Sequence, residues 1–491
     1  MADQNSTSDR PDAPEESDGC SRRSFLKRAG TTAALSGIGL GALGGTDAAE
    51  AAGGAPAYLP PRESFTIDRV DLAIERQRLA EPYGFKGGYV TEGWQSVALL
   101  ESPAGNRTIG LGKQSPPWAD MSVAERRTPT GGNGLMLSVT ERALQLAQGE
   151  TFQDPVEMTD WLYPQVREYA RSITQQEVSA NFALNALVPI DNAAWLLYAR
   201  ENDISNFEEM IPERYRHLLD NEPSQVASIP SLSYNTSPED VEQLIDDGYF
   251  IMKMKLGQPG PPEEMLRKDK EHIELLHRTL SNYSTEHTED GQIPYYFDAN
   301  MRYDKKEYLE EFLDHMKQIG GFDQILVVED PFPEEMDVRV DDLGIMVSSD
   351  EPASTPERAQ MQIDRGYTAF GLKPIAKTLS MTLKVIEMAY EQDIHCYCAD
   401  LTVNPILREW NKMVTARLDP LPMIGMNMFE TNGHQYYANW DEMLTYHPYS
   451  DAPWVEARNG VFELGNDYYD KSGGIFALSE HYLDLVEFDA E

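Results

Sequence analysis

Short apolar runs that end in charged residues recur through the second half of the chain, with helix-length amphipathic segments between them. Their polar ends are Lys253 and Lys255, then Asp298, Glu329, Asp350 and Lys373. Segments 305–319, 355–365 and 380–392 lie in the intervals, and their apolar residues recur at helical spacing. This alternation predicts the successive strand-helix units of a parallel α/β barrel, whose functional residues lie at the C-terminal ends of the strands.

The remaining barrel strands follow from the same pattern. We expect the helix 190–200 to introduce the barrel, and the run 227–235 to form its first strand. Strand seven is predicted at 394–399, with Asp400 at its end, and strand eight at 423–429, with Glu430 at its end. Both carboxylates are therefore candidates to contact a substrate or to orient a group that does.

The ordered set Lys-x-Lys, Asp, Glu, Asp, Lys along consecutive strands resembles the enolase superfamily. Within it the chain is most similar to the mandelate racemase and muconate-lactonizing group, in its muconate-lactonizing and dipeptide-epimerase branch. The resemblance implies a modified TIM barrel with an α+β N-terminal capping domain. It implies a magnesium-dependent enzyme that removes the proton α to a carboxylate. The segment after Lys373 departs from the pattern, since it lacks the Gly-Gly usual in this branch.

The region before the barrel is β-rich from about 62 to 112 and then helical, at 139–147, 155–172 and 182–187. This order resembles the capping domain of the same superfamily. By that resemblance residues 56–187 form the capping domain, 188–440 the catalytic barrel, and 441–491 a segment that packs back on the cap. The Gly-rich tract with Tyr83, Phe85 and Lys86 would then be the loop that closes over the barrel and selects substrate. An ordinary Gly-rich hairpin is the alternative.

The net charge of −41 arises from 82 acidic against 41 basic residues. A hydrophobic content of 41% argues against a disordered acidic chain. The excess carboxylate is typical of a solvated surface that keeps a protein soluble in high salt, so we infer a halophilic source. Nucleic acid and anionic membranes are excluded as partners by this charge. We expect a homo-oligomer.

Residues 1–55 have the pattern of a twin-arginine export signal rather than of a folded domain. Arg22 and Arg23 precede Phe25-Leu-Lys, a mildly apolar run and a stretch of small residues suited to cleavage. We therefore expect export by the Tat route to the cell surface or the medium. An uncleaved anchor is the alternative, although the run is short for a spanning helix of about 20 residues.

Three carboxylates at adjacent strand ends suit a hard octahedral cation, Mg²⁺ or Mn²⁺. Asp298, Glu329 and Asp350 are the predicted ligands, because each directly ends an apolar run that should be buried. Asn300 is a candidate to orient a ligand or a water. Glu351, next to Asp350, should face away from the site.

The lysines are the predicted catalytic groups. Lys253 and Lys255 share one face of their strand, because side chains at i and i+2 point the same way. Lys253 would stabilise the negative charge of a developing enolate. It would also lower the pKa of Lys255, which favours the neutral amine that a base requires. Lys373 would reach the reacting carbon from the opposite side of the barrel.

Several functions remain open from the sequence. A racemase, epimerase or cycloisomerase of an N-acyl amino acid, a dipeptide, a muconate-like acid or a succinylbenzoate precursor fits these residues. A sugar-acid dehydratase of the superfamily would want a His-Asp pair across strands seven and six, but His395 begins strand seven instead of ending it. A non-catalytic exported binding protein on the same barrel is the other alternative, although none of the predicted ligands or lysines is lost.

Overall fold

The computed structural model describes residues 62–86 and 88–486, all of which belong to one compact unit. The predicted export signal with Arg22 and Arg23 lies outside the described residues. No helix in the described ranges combines the length and the apolar character needed to cross a membrane.

An antiparallel sheet and a group of helices make up the first part of the unit. The strands are β1 (Phe65–Thr66), β2 (Arg69–Phe85), β3 (Gly88–Glu101), β4 (Arg107–Gln114) and β5 (Thr151–Phe152). The helices are α1 (Pro116–Ala119), α2 (Met121–Ala147), α3 (Pro155–Thr174), α4 (Ala180–Glu201), α5 (Phe207–Met210) and α6 (Glu213–Arg216). Strands β2, β3 and β4 pair in that order.

Helix α4 lies directly on strand β4 because the strand carries glycine where the two meet. A Cβ atom on Gly110 would lie 1.8 Å from the carbonyl oxygen of Pro189, and one on Gly112 would lie 2.5 Å from the Pro189 ring. Both contacts are far inside van der Waals distance, so only glycine allows this approach. The close packing fixes the sheet on a helix that is buried along almost its whole length.

The second part is a parallel strand-helix barrel. Its strands are β6 (Gln225–Ile229), β7 (Ser231–Leu232), β8 (Met252–Lys255), β9 (Tyr295–Asp298), β10 (Ile325–Glu329), β11 (Val347–Ser349), β12 (Ala369–Leu372), β13 (His395–Cys398) and β14 (Met428–Glu430). Its helices are α7 (Pro238–Asp246), α8 (Pro262–Leu280), α9 (Lys306–Ile319), α10 (Pro356–Asp364), α11 (Pro374–Lys377), α12 (Leu379–Glu391) and α13 (Pro405–Thr415), with a short 3₁₀ turn at Phe322–Gln324. The predicted α/β barrel is confirmed.

The sheet closes through its first strand. Strand β6 pairs with β14, the last barrel strand, and β7 pairs with β8, the second. Only Pro230 separates β6 from β7, so the two form one interrupted strand hydrogen-bonded on both sides. Proline interrupts the strand because it has no N–H to donate to the ladder. Counting β6 and β7 as one position, eight parallel strands form the ring.

The C-terminal residues contact both parts of the unit. They form α14 (Gly433–Tyr436), α15 (Trp440–Thr445), β15 (Val461–Glu463), α16 (Asn466–Asp470), a 3₁₀ turn at Ser472–Gly474 and α17 (Glu480–Leu485). Strand β15 adds antiparallel to β6, which the sequence did not predict. On the other side, His481 Nε2 lies 2.9 Å from Glu75 Oε1 of β2.

The eighth barrel strand is shorter than the apolar run 423–429 predicts. It begins at Met428, because the residues before it turn back on themselves through a bridge between Leu421 and Met426. Its end at Glu430 agrees with the prediction.

Candidate active site

The charged ends of the barrel strands converge around a central cavity of about 40 Å³. From the barrel it is lined by Lys253, Lys255, Asp298, Asn300, Asp350, Glu351, Lys373, Asp400, Leu401, Thr402, Glu430 and Asn432, and from the first part of the unit by Leu79, Tyr83, Val90, Lys113, Ser115 and Trp118. Glu329 is buried and bonded to Lys253 of this group. The structure thus brings together the predicted lysines and carboxylates.

Strand β8 presents both of its lysines to Asp298. Lys253 Nζ lies 3.1 Å from Asp298 Oδ2, and Lys255 donates a hydrogen bond to the same oxygen. Lys253 Nζ also donates to Glu329 Oε1 and Glu430 Oε2, each at 2.9 Å. Burial alone would lower the pKa of Lys253. The three carboxylates more than offset this effect, so the pKa lies well above its ordinary value. Lys253 is therefore a fixed ammonium ion.

The expectation that Lys253 leaves Lys255 as a neutral amine is wrong for this arrangement. Burial lowers the pKa of Lys255, and Lys253 lowers it as well, but Asp298, Tyr83 and Glu430 together raise it by more. The net pKa lies above the ordinary value for lysine. The reason is that a carboxylate in direct contact outweighs a like charge that shares the same partner.

Lys373 faces these two lysines across the barrel. It follows β12, which lies four positions from β8 in the eight-strand ring. Its ammonium group donates to Asp350 Oδ2 and lies 4.6 Å from the centre of the Trp118 ring. Burial lowers the pKa of Lys373, but Asp350 and Glu351 raise it above its ordinary value. A second lysine, Lys377 of α11, lies 2.9 Å from Asp350 Oδ1.

Glu329 lies among two tyrosines and the other strand-end carboxylates. Its Oε2 accepts hydrogen bonds from the hydroxyl groups of Tyr397, at 2.9 Å, and Tyr296. Burial raises the pKa of Glu329 to about 8, and the nearby Asp298 and Asp350 carboxylates contribute to the rise. A Cβ on Gly371 would lie 3.2 Å from both Glu329 Oε2 and Asp350 Cβ. Any larger residue at this position would therefore crowd the two acidic side chains.

The donor types around Asp298, Glu329 and Asp350 fit a hard cation, because all of them are oxygens. In this arrangement lysine ammonium groups bond these carboxylates, and within the described ranges no group of three His, Cys, Asp or Glu side chains is spaced to hold a metal ion. Asn300 adds a buried amide oxygen without a hydrogen-bond partner. Its Nδ2 donates to Asp298 Oδ2 at 3.2 Å, which places it beside the predicted ligands.

The loop that carries Asn300 has an unusual backbone. Asn300 and Met301 both have positive φ, 46° and 59°, in the left-handed region that side chains rarely adopt. Hydrogen bonds hold the loop there, from Asn300 N to Asp298 Oδ1 at 2.9 Å and from Met301 N to the carbonyl oxygen of Asp330 at 2.6 Å. Strain held by such bonds is a frequent property of functional loops.

Glu351 does not face away from the site, contrary to the prediction. It lines the central cavity, and its Oε1 lies 3.2 Å from Lys86 Nζ. Strand β11 ends at Ser349, so the alternation of side chains does not continue to Glu351. The backbone N–H groups of Asp350 and Glu351 instead both donate to the Asp330 carboxylate, at 3.0 and 2.9 Å, in a turn.

Asp400 and Glu430, at the ends of the last two barrel strands, are joined by a hydrogen bond beside the cavity. Glu430 Oε2 accepts from the Asp400 backbone N–H at 3.0 Å, and Asp400 Oδ2 accepts from Asn432 N at 2.9 Å. Burial raises the pKa of Asp400 to about 6, and Glu430 adds to the rise. Lys113 of β4 reaches the same side and donates to the Thr402 carbonyl at 2.6 Å.

The hairpin tip between β2 and β3 contributes to the cavity wall. The Tyr83 hydroxyl and Ser231 Oγ lie 2.8 Å apart, and Lys86 Nζ donates to the Trp118 carbonyl at 2.7 Å. The backbone of Phe85 pairs with Gly88, but its side chain lies outside the described part of the chain.

Lys113, Trp118 and Lys377 are site residues that sequence reasoning missed. None of them ends a barrel strand, which was the signal used to find the others. His395 lies at the first residue of β13, at the opposite end from the site, as predicted.

No protein-family profile and no curated protein sequence matches this chain. Several solved structures, however, match this chain. A dipeptide epimerase from Enterococcus faecalis V583, complexed with Mg and the dipeptide L-Leu-L-Tyr, is 15% identical at a TM-score of 0.56, over 82% of this chain and 97% of that one. The L-Ala-D/L-Glu epimerase of Bacillus subtilis is 13% identical at a TM-score of 0.57, over 82% and 96%.

An L-talarate/galactarate dehydratase mutant liganded with Mg and L-glucarate is 16% identical at a TM-score of 0.56, over 90% of this chain and 97% of that one. By their names these similar proteins are enzymes, two isomerases and a dehydratase. The predicted resemblance to the mandelate racemase and muconate-lactonizing group of the enolase superfamily is confirmed at the level of the fold.

Proposed function

We propose that this chain is a magnesium-dependent isomerase of the enolase superfamily that removes the proton α to a substrate carboxylate. The observation that carries the proposal is the placement of Lys255 and Lys373 on opposite sides of one cavity. In the structure both lysines are bonded to carboxylates, Asp298 and Asp350, so the proposal requires that the divalent cation takes these carboxylates over before either lysine acts as a base. Two bases facing one carbon from opposite sides can then remove a proton from one face and return one to the other. Such an exchange inverts the carbon, which is the reaction of a racemase or epimerase.

The other residues have supporting roles in this proposal. Asp298, Glu329 and Asp350 would hold the divalent cation, which supplies Lewis-acid stabilisation of the enolate charge when bound. Lys253, fixed as an ammonium ion by three carboxylates, adds a permanent positive charge beside the same group. Asn300, with its free amide oxygen, would orient a water or a substrate oxygen.

An isomerase is favoured over a sugar-acid dehydratase. Strand β13 ends at Cys398 and is followed by Ala399 and Asp400, so no histidine stands where the dehydratase pair requires one. The N-terminal part, residues 56–187, would act as a cap whose hairpin tip with Tyr83 closes the cavity. Substrates of the proposed class are N-acyl amino acids, dipeptides and muconate-like acids.

The test is α-proton exchange in D₂O. A panel of chiral carboxylates would be incubated with the protein and Mg²⁺, and the loss of the α-proton signal followed by NMR. Asp298→Asn should abolish exchange and weaken Mg²⁺ binding in titration calorimetry, whereas Arg267→Gln, at an exposed helix position, should change neither. Unchanged Mg²⁺ affinity in Asp298→Asn would refute the metal site.

We also propose that the protein is exported by the Tat route and works in high salt. The twin arginines Arg22 and Arg23 and the net charge of −41 support this. Replacing both arginines by lysine should leave the precursor in the cytoplasm, as measured by immunoblots of cell fractions. Equal export of the variant would contradict the proposal.

A further inference from the structure

Two tyrosines reach Glu329 from inside the barrel and not from the cavity. Tyr296 is on β9 and Tyr397 is on β13, and both are buried. Tyr296 precedes Asp298 by two residues, so both side chains point to the same face of the strand, with the tyrosine one layer below the strand end. Neither tyrosine lines the central cavity. Any effect of these two residues on the chemistry therefore has to act through Glu329.

The two tyrosine hydroxyl groups use the bonding capacity of one Glu329 oxygen. Both donate to Oε2, and the Tyr397 bond is 2.9 Å long. An ionised carboxylate has about two lone-pair sites on each oxygen, so these two donors fill Oε2. Lys253 Nζ donates to Oε1 at 2.9 Å and takes one of the sites on that oxygen. The position that remains for a further partner of Glu329 is therefore on Oε1.

Other contacts hold both hydroxyl groups in place. Ser348 Oγ of β11 lies 2.7 Å from the Tyr397 hydroxyl oxygen. Because the one proton of that hydroxyl is donated to Glu329, Ser348 is the donor in this contact. The rings of Tyr296 and Tyr397 meet edge to face, with their centroids 5.4 Å apart, and the Tyr296 ring lies 4.5 Å from Lys253 Nζ. The two donors to Oε2 are thus fixed by packing as well as by Glu329 itself.

The donors around the proposed metal ligands differ in charge. Those that bond Asp298 and Asp350 are lysine ammonium groups, which a divalent cation placed among the same carboxylates repels. The tyrosine hydroxyl groups are neutral, because the pKa of tyrosine is about 10, and they are not repelled. We therefore expect the two bonds to Glu329 Oε2 to remain when the carboxylate serves as a metal ligand.

Mg²⁺ and Ca²⁺ require different things of a carboxylate. Mg²⁺ demands a near-ideal octahedron of short bonds, whereas Ca²⁺ takes about six to eight oxygens at longer distances and often binds both oxygens of one carboxylate. A carboxylate whose second oxygen is already occupied can ligate through one oxygen only. A site built with such a carboxylate offers fewer ligand atoms, and this favours Mg²⁺.

We propose that Tyr296 and Tyr397 make the metal site selective for Mg²⁺ over Ca²⁺, because they restrict Glu329 to ligation through Oε1. Both are positioning residues, since they touch a metal ligand and not the substrate. This rests on the proposed function, because it takes Glu329 to be a ligand of the divalent cation. It gives a role to two tyrosines that neither end a barrel strand nor reach the cavity.

The experiment measures the binding of Mg²⁺ and of Ca²⁺ to the full chain by titration calorimetry, without substrate. The variants are Tyr296→Phe, Tyr397→Phe and the double variant, which remove the hydroxyl groups and keep the rings. The parent should bind Mg²⁺ more tightly than Ca²⁺. In the double variant the Mg²⁺ affinity should fall by about 10–100-fold, the usual effect of changing a partner of a metal ligand. Its Ca²⁺ affinity should change by less than about threefold, because the freed oxygen gives Ca²⁺ an additional ligand.

Tyr295→Phe is the matched control. Tyr295 precedes Tyr296 on β9 and is equally buried, but it points to the opposite face of the strand, where its hydroxyl lies 2.8 Å from His277 Nδ1. This variant should change neither affinity. Urea denaturation identifies any variant that does not fold. Each single variant should shift the preference in the same direction as the double variant by a smaller factor, so the single variants decide the matter if the double variant does not fold.

Each other outcome has a definite meaning. An unchanged ratio of the two affinities would overturn the proposal, and so would equal losses for both ions, which would mean that the tyrosines support Glu329 without selecting between metals. A parent that prefers Ca²⁺, or a shift of the same size in Tyr295→Phe, would do the same. These results would leave the proposed function intact, provided that the parent binds Mg²⁺. A parent that binds neither ion would instead refute the metal site, and with it both the proposed function and this inference.

Discussion

The barrel contains two buried clusters of charge that differ in their surroundings. The mouth cluster consists of Lys253, Lys255, Lys373 and the strand-end carboxylates around the central cavity. The outer cluster consists of Arg408, Glu409 and Lys412 on helix α13, covered by the C-terminal residues. The outer cluster does not line the central cavity.

The lysines of the two clusters have opposite pKa shifts. At the mouth, carboxylates raise the pKa of each lysine above its ordinary value. Burial instead lowers the pKa of Lys412 to about 7, because Glu409 opposes it only in part. The other partners of Lys412 Nζ are the Trp454 carbonyl, at 2.6 Å, and the Phe462 ring, at 4.2 Å. Buried charge alone therefore does not identify a functional site. The mouth cluster differs from the outer cluster because its carboxylates outnumber its lysines and because it surrounds an open cavity.

The largest expected effect comes from removing a lysine of the mouth. Lys255→Met should slow α-proton exchange from one enantiomer of the substrate by about 10²–10⁴-fold, and Lys373→Met should do so for the other. The physical reason is that each lysine reaches only one face of the reacting carbon. NMR in D₂O with each enantiomer measures this. Equal losses from both enantiomers in both variants would mean that the two lysines do not act as separate bases.

Removing a lysine of the outer cluster should affect stability instead. Lys412→Met removes the ammonium group that lies 2.7 Å from the buried Glu409 and leaves only Arg408 of the cluster to oppose its charge, which should lower the free energy of unfolding by up to about 3–5 kcal/mol. Exchange per folded molecule should not change. Urea denaturation gives the stability, and replacing Glu409 by Met as well should restore much of it. Lys317→Met, in an exposed pair with Asp314, is the control and should cost about 1 kcal/mol or less.

The smallest expected effect is a dependence of stability on pH that Lys412 contributes. Its amine releases its proton near pH 7 in the folded protein, but at its ordinary value of 10.5 in the unfolded chain. Between these values the unfolded chain binds more protons, so this contribution to stability increases as the pH rises from about 7 to 10.5. Urea denaturation at pH 7 and pH 9 should show a larger increase in the parent than in Lys412→Met, in which Lys113, whose pKa burial also lowers to about 7, still contributes. The same slope in both proteins would contradict the assignment.

The barrel could be predicted from sequence because parallel strands covered on both faces appear as short apolar runs. Each run ended in a charged residue, which identified Lys253, Asp298, Glu329 and Lys373 without further information. Strand β15 could not be predicted in this way, since its partner β6 lies more than 200 residues earlier in the chain.

The parts of the site that were missed depend on tertiary contacts. Lys113 and Trp118 reach the cavity from the first part of the unit, so their role follows from how that part packs on the barrel. Glu351 was misplaced because a turn held by Asp330 replaces the strand at that point. The pKa of Lys255 was misjudged because Asp298 is shared by both lysines of β8, which no local pattern shows.

The interrupted first strand constrains the order in which the protein can fold during synthesis. Strand β7 pairs with β8, which follows it by about 20 residues in the sequence. Strand β6 instead pairs with β14, which is synthesised about 200 residues later. At about 5–20 residues per second, a ribosome needs roughly 10–40 s to make that interval. During this time neither partner of β6, β14 or β15, has been made, so the nascent chain carries an open sheet in which β6 is unpaired. The barrel is therefore expected to close only late in translation, and a truncation before Met428 should produce an aggregation-prone chain, not a smaller stable domain.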